Sequence, residues 1–319
     1  MTDPAPQLTR PGDARATANA ATRTLCLGEA LVDMVSERPG RELTDVDRFS
    51  PHLGGVAANV ALVAARAGAR IALAGGAGDD VWGQWLLGRL RDAGVDVSLF
   101  ALLGEFETQL AFVTVSAEGE PAYHLRGHAT GTIVPVLGER LDQAVQESAA
   151  LFISTNTLAA GDERELTMRA RELTIGLGRP VIFDANLRLH RWGSRDEAAD
   201  AARACLPGAL LARANRAEAE LMTGEQDTER AANALVRAGA QSIVLTLGCH
   251  GAILRGAVHA DEPGVDCRVL NTAGAGDVLT GTLLARLALG DFDPAAIAGA
   301  LPEAVAAAAR ACERWGAVD

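Results

Sequence analysis

The run Val269-Leu270-Asn271-Thr272-Ala273-Gly274-Ala275-Gly276-Asp277-Val278-Leu279-Thr280-Gly281 holds the residues best suited to chemistry. An apolar strand-like stretch ends, a loop of small residues follows, and an apolar helix begins. Free backbone N–H groups at a helix N-terminus, reinforced by the helix dipole, make an anion hole. Gly274, Ala275 and Gly276 would let a phosphate approach that backbone closely. Asp277 lies beside the hole, where a carboxylate would repel a resting pyrophosphate. It suits a general base that takes a proton from a hydroxyl while the hole holds the transferring group. Two plainer readings compete. One is an Asp that caps the helix. The other is a dinucleotide-binding loop, weakened because Leu279 stands where that fingerprint wants Gly or Ala.

A second run, Leu53-Gly54-Gly55-Val56-Ala57-Ala58-Asn59, puts paired glycines ahead of a helix, with Asn59 one turn inside. An Asn there can offer both donor and acceptor to a polyol; an ordinary glycine turn is the bland alternative. Composition narrows the chemistry further. None of the 319 residues is Lys, so all 29 basic positions are Arg. Schiff-base lysines, the Gly-Lys-Ser/Thr phosphate loop and the protein-kinase strand lysine are thereby excluded. The net charge of -12 opposes binding to nucleic acid or anionic lipid. Any bound phosphate must be held by backbone N–H groups, a helix end, a metal or single Arg residues.

These runs must be positioned by a scaffold, and the hydrophobic pattern describes one. Residues 1–22 are polar and rich in Ala, Thr and Pro, and read as a disordered tail rather than a signal peptide. A β-rich start at 24–35 is followed by helices at 56–67 and 82–93 with a strand at 70–74 between them. Three short β-type runs at 97–103, 109–116 and 122–125 come next, the last two joined by the turn Glu118-Gly119-Glu120. Strands at 150–154, 180–184, 209–212 and 242–246 then alternate with helices, and two final helices fall near 275–289 and 294–315. This predicts an α/β fold, with a mostly parallel central sheet flanked by helices on both faces. The segments at roughly 30–50 and 97–126 break the alternation and are expected to form a small projecting β-sheet, a lid over the site. No apolar run looks long and charge-poor enough for a membrane span, since 295–311 carries Glu303 and Arg310. The five cysteines are widely spaced without a CxxC pair, as expected of buried thiols in a reducing cytoplasm.

Seven short motifs in order resemble the ribokinase-like (PfkB) family of carbohydrate kinases, and most closely its fructokinase branch. They are Gly28-Glu29-Ala30-Leu31-Val32-Asp33, the run 53–59, Gly78-Asp79-Asp80-Val81-Trp82-Gly83, Asp184-Ala185-Asn186-Leu187-Arg188 with Trp192, Asn215-Arg216-Ala217-Glu218, Thr246-Leu247-Gly248-Cys249-His250-Gly251, and the run 271–277. The resemblance implies a single kinase domain over 23–319 with Asp277 as catalytic base and the backbone of Gly274, Ala275 and Gly276 as anion hole. It implies that Asp33, Gly54, Gly55 and Asn59 hold sugar hydroxyls, with Arg126 and Arg188 also facing substrate. Asn215 and Glu218 would organise ATP phosphates and Mg²⁺, the metal being held mainly through ATP and water near Glu218. Thr246, Gly248 and Gly251 would line the nucleotide side.

Two departures bear on this reading. Asn271 replaces the family's usual Asp, which leaves a requirement for K⁺ open, and Leu31 replaces a sugar-contact Asn, which argues against ribose. His128 and His190 receive no role. The expected partners are a small sugar and ATP, without nucleic acid or membrane, and a homodimer is left open. The leading activity is ATP-dependent phosphorylation of fructose or a related ketose. The alternatives are a 2-keto-3-deoxygluconate kinase that uses Arg126 and Arg188, a nucleoside kinase, a non-catalytic sugar- or nucleotide-binding relative, and, last, an NAD-binding oxidoreductase.

Overall fold

The structure, a computed structural model, describes residues 23–127, 132–316 and 318. The expected tail at 1–22 and His128 lie outside the described residues. In chain order, β1 (Arg23–Leu27) leads to β2 (Leu31–Ser36), β3 (Phe49–Gly54), α1 (Val56–Arg66), β4 (Ile71–Gly78), α2 (Val81–Asp92) and β5 (Phe100–Leu103). A hairpin of β6 (Leu110–Val115) and β7 (Pro121–Arg126) follows, then α3 (Ile133–Leu137), α4 (Leu141–Gln146), β8 (Ser148–Ser154) and α5 (Gly161–Gly176). The chain continues through β9 (Val181–Asp184), α6 (Arg195–Ala204), β10 (Ala209–Asn215), α7 (Arg216–Thr223), α8 (Thr228–Arg237) and β11 (Ser242–Thr246). It finishes with β12 (Ala252–Gly256), β13 (Ala260–Glu262), α9 (Ala275–Leu289) and α10 (Ala295–Cys312).

The main sheet has the order β13-β12-β11-β10-β9-β8-β1-β4-β5 and is parallel from β11 to β5. Its strands are nearly continuous apolar runs because both faces are covered. Cys26, Phe152 and Ile182 face a core completed by Leu284 and Leu301, whereas Leu25, Leu151 and Phe183 face another completed by Leu235. Each of these large side chains contributes about 1.5–3 kcal/mol by leaving water. Local caps fix where the helices begin: Asp80 accepts from the Gly83 N–H at 2.8 Å, and Ser194 from the Glu197 N–H at 3.0 Å.

Strand β1 sits between β4 and β8, so the chain leaves it toward opposite edges of the sheet. In open α/β sheets such a switch point opens a crevice at the carboxyl ends of the strands. A smaller sheet, ordered β3-β2-β6-β7, lies apart from the main one and covers this crevice.

Several elements differ from the sequence expectation. The run 24–35 is two strands in different sheets, split at residues 28–30. Segment 97–103 does not join the small sheet. Instead β5 pairs in parallel with β4 at the edge of the main sheet, closing an ordinary strand–helix–strand crossover. Strand β3 lacks an alternating pattern and carries Pro51, which its edge position tolerates. Helix α10 is, against expectation, long and apolar enough to cross a membrane by length and composition. Its apolar side is nevertheless core, with Ile297 and Leu301 fully buried, and Glu303 pairs with Arg286 of α9 at 2.7 Å.

Candidate active site

Five neighbouring strand ends build the site. Glu29 follows β1, Asn156 follows β8, Asp184 ends β9, Asn215 ends β10 and Thr246 ends β11. Helix α9 points its N-terminus into the same place. Gly274 is its N-cap in the left-handed region (φ 71°), and Asp277 stands in its first turn.

Asp277 is 4% exposed, and both its oxygens are occupied. Asn59 Nδ2 donates to Oδ2 at 2.8 Å, and Asn186 Nδ2 donates to Oδ1 at 3.2 Å. Two amides from elements far apart in sequence thus set the orientation of the carboxylate. Asn59 therefore spends its donor on Asp277 rather than keeping it for a sugar, although it also lines the cleft. The Oδ1 atoms of Asn59 and Asn186 are buried without a partner. Asn186 adopts φ 33°, rare for a residue with a side chain, and strain of this kind concentrates at functional sites. Burial pushes the Asp277 carboxyl up to about 7, with Asp184 adding to the rise and Asn59, Arg188 and Arg213 opposing it.

Two clefts meet at Asp277. The first, of about 610 Å³, is roofed by the small sheet through Asp33, Ala111, Tyr123 and Leu125 and floored by Glu29 and Asn156. Glu29 accepts from Asn156 Nδ2 at 3.1 Å and from the Val56 N–H at 3.3 Å, which ties the end of β1 to the start of α1. Asp33 is half-buried, and burial together with Asp277 lifts its carboxyl to about 7 while Arg188 and His52 oppose the rise. The second cleft, of about 1180 Å³, is lined by Asn215, Glu218, Arg213, Thr272 and Gly276. Tyr123, Arg188, His190, Gly274 and Asp277 line both. Arg188 packs its guanidinium over the Tyr123 ring at 5.3 Å.

The residues expected from the sequence are not all brought together. Gly55 lines the first cleft, whereas Gly54 makes room: a side chain there would collide with the Asp33 carboxylate. Arg126 is exposed, on the opposite face of β7 from Tyr123 and Leu125, and donates to the Leu125 carbonyl at 3.0 Å. Strand alternation therefore directs it away from the cleft. Ala275 lines neither cleft, and its N–H turns back to the Thr272 carbonyl at 3.3 Å. Gly248 and Gly251 also lie off both clefts; Gly251 is buried in the turn between β11 and β12. Thr246 acts behind the second cleft, where its Oγ1 accepts from Arg213 Nη2 at 2.8 Å.

Asn215 and Glu218 form a capping box: Asn215 accepts from the Glu218 N–H at 2.9 Å, and Glu218 accepts from the Asn215 N–H at 2.8 Å. The other Glu218 oxygen accepts from the Leu187 N–H at 2.8 Å. Burial pushes the Glu218 carboxyl up, and Arg213 opposes the rise. No group of three or more His, Cys, Asp or Glu among the described residues could cage a metal. A cation here would thus rely on other oxygens, with Glu218 at its edge.

Sequence reading missed Glu29, Asn156, Asn186 and Arg213. Glu29 and Asn186 stood inside motifs already singled out, but Asn156 and Arg213 carried no local signal. His190, given no role, lines both clefts. Above the second cleft the β6–β7 turn reaches across to the α9 loop, where Thr272 donates to the Gly119 carbonyl through its N–H at 2.9 Å and its Oγ1 at 3.2 Å.

Comparison with known proteins agrees with this architecture. Fructokinase-1 of Oryza sativa subsp. japonica is 31% identical over 266 residues, which covers 82% of this chain and 81% of the rice protein. Aminoimidazole riboside kinase of Salmonella typhimurium is 30% identical over 303 residues, 94% of this chain and 92% of that protein. Among solved structures, the Salmonella enterica aminoimidazole riboside kinase complexed with aminoimidazole riboside and an ATP analog superposes with a TM-score of 0.77 at 25% identity, covering 93% of this chain and 95% of that one. The model of the pfkB family carbohydrate kinases matches residues 21–319. The chain accordingly belongs to the pfkB family of carbohydrate kinases, and it is a phosphotransferase that acts on sugar hydroxyls.

Proposed function

We propose that this sugar kinase transfers the γ-phosphoryl group of ATP to a hydroxyl of fructose or a related ketose. The observation that carries the reading is the shared wall of the two clefts, where Asp277 and Gly274 face both. Such a wall puts an acceptor on one side and a phosphoryl donor on the other. The similarity to the rice fructokinase supports a ketose in the first cleft.

In this reading Asp33 holds sugar hydroxyls and Arg188 closes the cleft against Tyr123. The acceptor hydroxyl gives its proton to Asp277, and its oxygen bonds to the γ-phosphorus. The bond to the β–γ bridging oxygen breaks, leaving its electron pair on ADP. The backbone at Gly274 and Gly276 holds the transferring group at the positive end of α9. Mg²⁺ would neutralise phosphate charge, held mainly by ATP and water near Glu218, because that carboxylate already accepts two backbone N–H groups. A K⁺ requirement is not expected. The Asn271 amide closes its loop by itself, donating to the Trp315 carbonyl at 2.6 Å and accepting from the Ala273 N–H at 2.9 Å.

The test is a coupled ATP-consumption assay over fructose, ketodeoxygluconate, ribose and nucleosides, run in K⁺ and in choline. Fructose turnover is expected in both salts, and Asp277→Asn should lower kcat by about 10²–10⁴. Near-normal turnover by Asp277→Asn would sink the assignment of the base. Turnover confined to an acceptor other than a ketose would sink the substrate.

A further inference from the structure

The proposed chemistry leaves one buried cation unused. Arg213 lies near the carboxyl end of β10, is 7% exposed, and lines the second cleft together with Gly274, Gly276 and Asp277. Nη1 donates to Asp184 Oδ1 at 3.2 Å and Nη2 to Thr246 Oγ1 at 2.8 Å, while Nε is buried with no partner. Asp184 gives its other oxygen to Thr280 Oγ1 at 2.7 Å. Arg–carboxylate pairs are frequently bidentate, with two parallel hydrogen bonds to one carboxylate. Here the fork is divided between two partners, and one of the three nitrogens, Nε, has none. Burying a guanidinium is costly unless its charge is paired, and Asp184 supplies that pairing here while Nη1 and Nη2 keep further N–H groups.

Position points the same way. Gly276 has no side chain, and a methyl group there would come within 2.7 Å of Arg213 Nη2 and 2.8 Å of Cζ and Nη1. The guanidinium therefore occupies the space beside the loop that makes the anion hole. A chain without Lys must supply any fixed positive charge at this point from Arg. Arg188 and Arg213 are the two guanidinium groups on the second cleft, and Arg188 also borders the first. Arg213 is the one confined to the phosphoryl side.

We propose that Arg213 is a further catalytic residue, whose guanidinium contacts the transferring phosphoryl group and stabilises the charge on its oxygens as the bond to ADP breaks. The inference rests on the kinase reading above. Asp184 and Thr246 hold the group in place, so that it need not reorganise during transfer.

The test uses the whole chain with Arg213→Gln, Arg213→Lys, Arg213→Ala and Gly276→Ala. Arg213→Gln should lower kcat by about 10²–10³, as the loss of a preorganised charge donor does, with the sugar KM little changed. Arg213→Lys should recover part of that loss. Guanidinium ion added at millimolar concentration should raise the turnover of Arg213→Ala but not that of the wild type. If Arg213→Gln does not fold, Arg213→Lys and the guanidinium rescue of Arg213→Ala carry the test, and unchanged kcat in Gly276→Ala, where a methyl group would push the guanidinium off the loop, overturns the proposal. So does a folded Arg213→Gln variant with near-normal kcat, in which case the kinase reading stands. If the wild type phosphorylates nothing, the kinase reading fails. Arg213 is then judged by calorimetric binding of Mg²⁺–ADP–fluoroaluminate: roughly tenfold weaker binding in Arg213→Gln supports it, and equal binding overturns it.

Discussion

Asp277 shows how a single side chain can be both constrained and available. Asn59 and Asn186 fix the direction of its carboxylate, and burial, with Asp184 adding to it, pushes its pKa up to about 7. A general base works best when its pKa lies near the working pH. The Asp277 charge also helps to push the Asp33 carboxyl up to about 7, so the two carboxyls should titrate as an interacting pair. In the proposed mechanism Asp277 is the base and must be ionised, so kcat/KM should fall by about tenfold per pH unit below the value of about 7. Asp33→Asn removes a neighbouring negative charge, which eases deprotonation of Asp277, so the limb should move to lower pH. A pH–rate profile of both proteins checks this, and an unmoved limb would separate the two carboxyls.

Among the elements, the decisive arrangement is five strand ends in a row with α9 aimed at them. Strand β2 completes the site from the small sheet, and its contribution depends on β3. Gly54 lies in β3 opposite Leu31, and a side chain there would displace the Asp33 carboxylate. Gly54→Ala should therefore raise the sugar KM by about tenfold or more while leaving the KM for ATP near its usual value, since one misplaced contact disturbs positioning on one side only. Steady-state kinetics with each substrate varied in turn checks that split.

The same elements show how much was legible. The alternating apolar runs of the main sheet and the glycine loop before α9 could be read because their signals are local. Asn215 and Glu218 were singled out for ATP phosphates and Mg²⁺, whereas the capping box they form was not read from the sequence. Strand β5 was assigned to the wrong sheet because its apolar pattern does not say which edge it will pair with. Arg126 was assigned to the cleft although the parity of β7, visible only once its register with β6 is known, turns it outward. Arg213 and Asn156 gain meaning only from neighbours brought to them by the fold.

At the scale of the molecule, two covered faces of one sheet supply the stability, and the site draws on it. Asp33 and Asp277 are both raised from 3.8 to about 7. A carboxyl raised in the folded state favours folding most fully below its unfolded value, and that contribution is lost as pH rises through the folded value. Stability should therefore decline between roughly pH 4 and 7 on account of this pair. Asp277→Asn should be more resistant to urea than the wild type at pH 8, by about 1–3 kcal/mol, and less advantaged at pH 5, at the expense of turnover. Urea midpoints of the two proteins at both pH values check the sign.

The bond between Thr272 and the Gly119 carbonyl joins the roof of the first cleft to the loop ahead of α9. Roof and loop are then one mechanical piece. Displacing the hairpin far enough to flood the first cleft also pulls on the segment just ahead of Gly274. Water is the commonest competing acceptor for a phosphoryl group, and in the proposed reading the roof keeps it from the first cleft. In the proposed reading, an arrangement that admitted water would also cost the anion loop a fastening, so the contact that helps to shape the loop would also disfavour transfer to solvent.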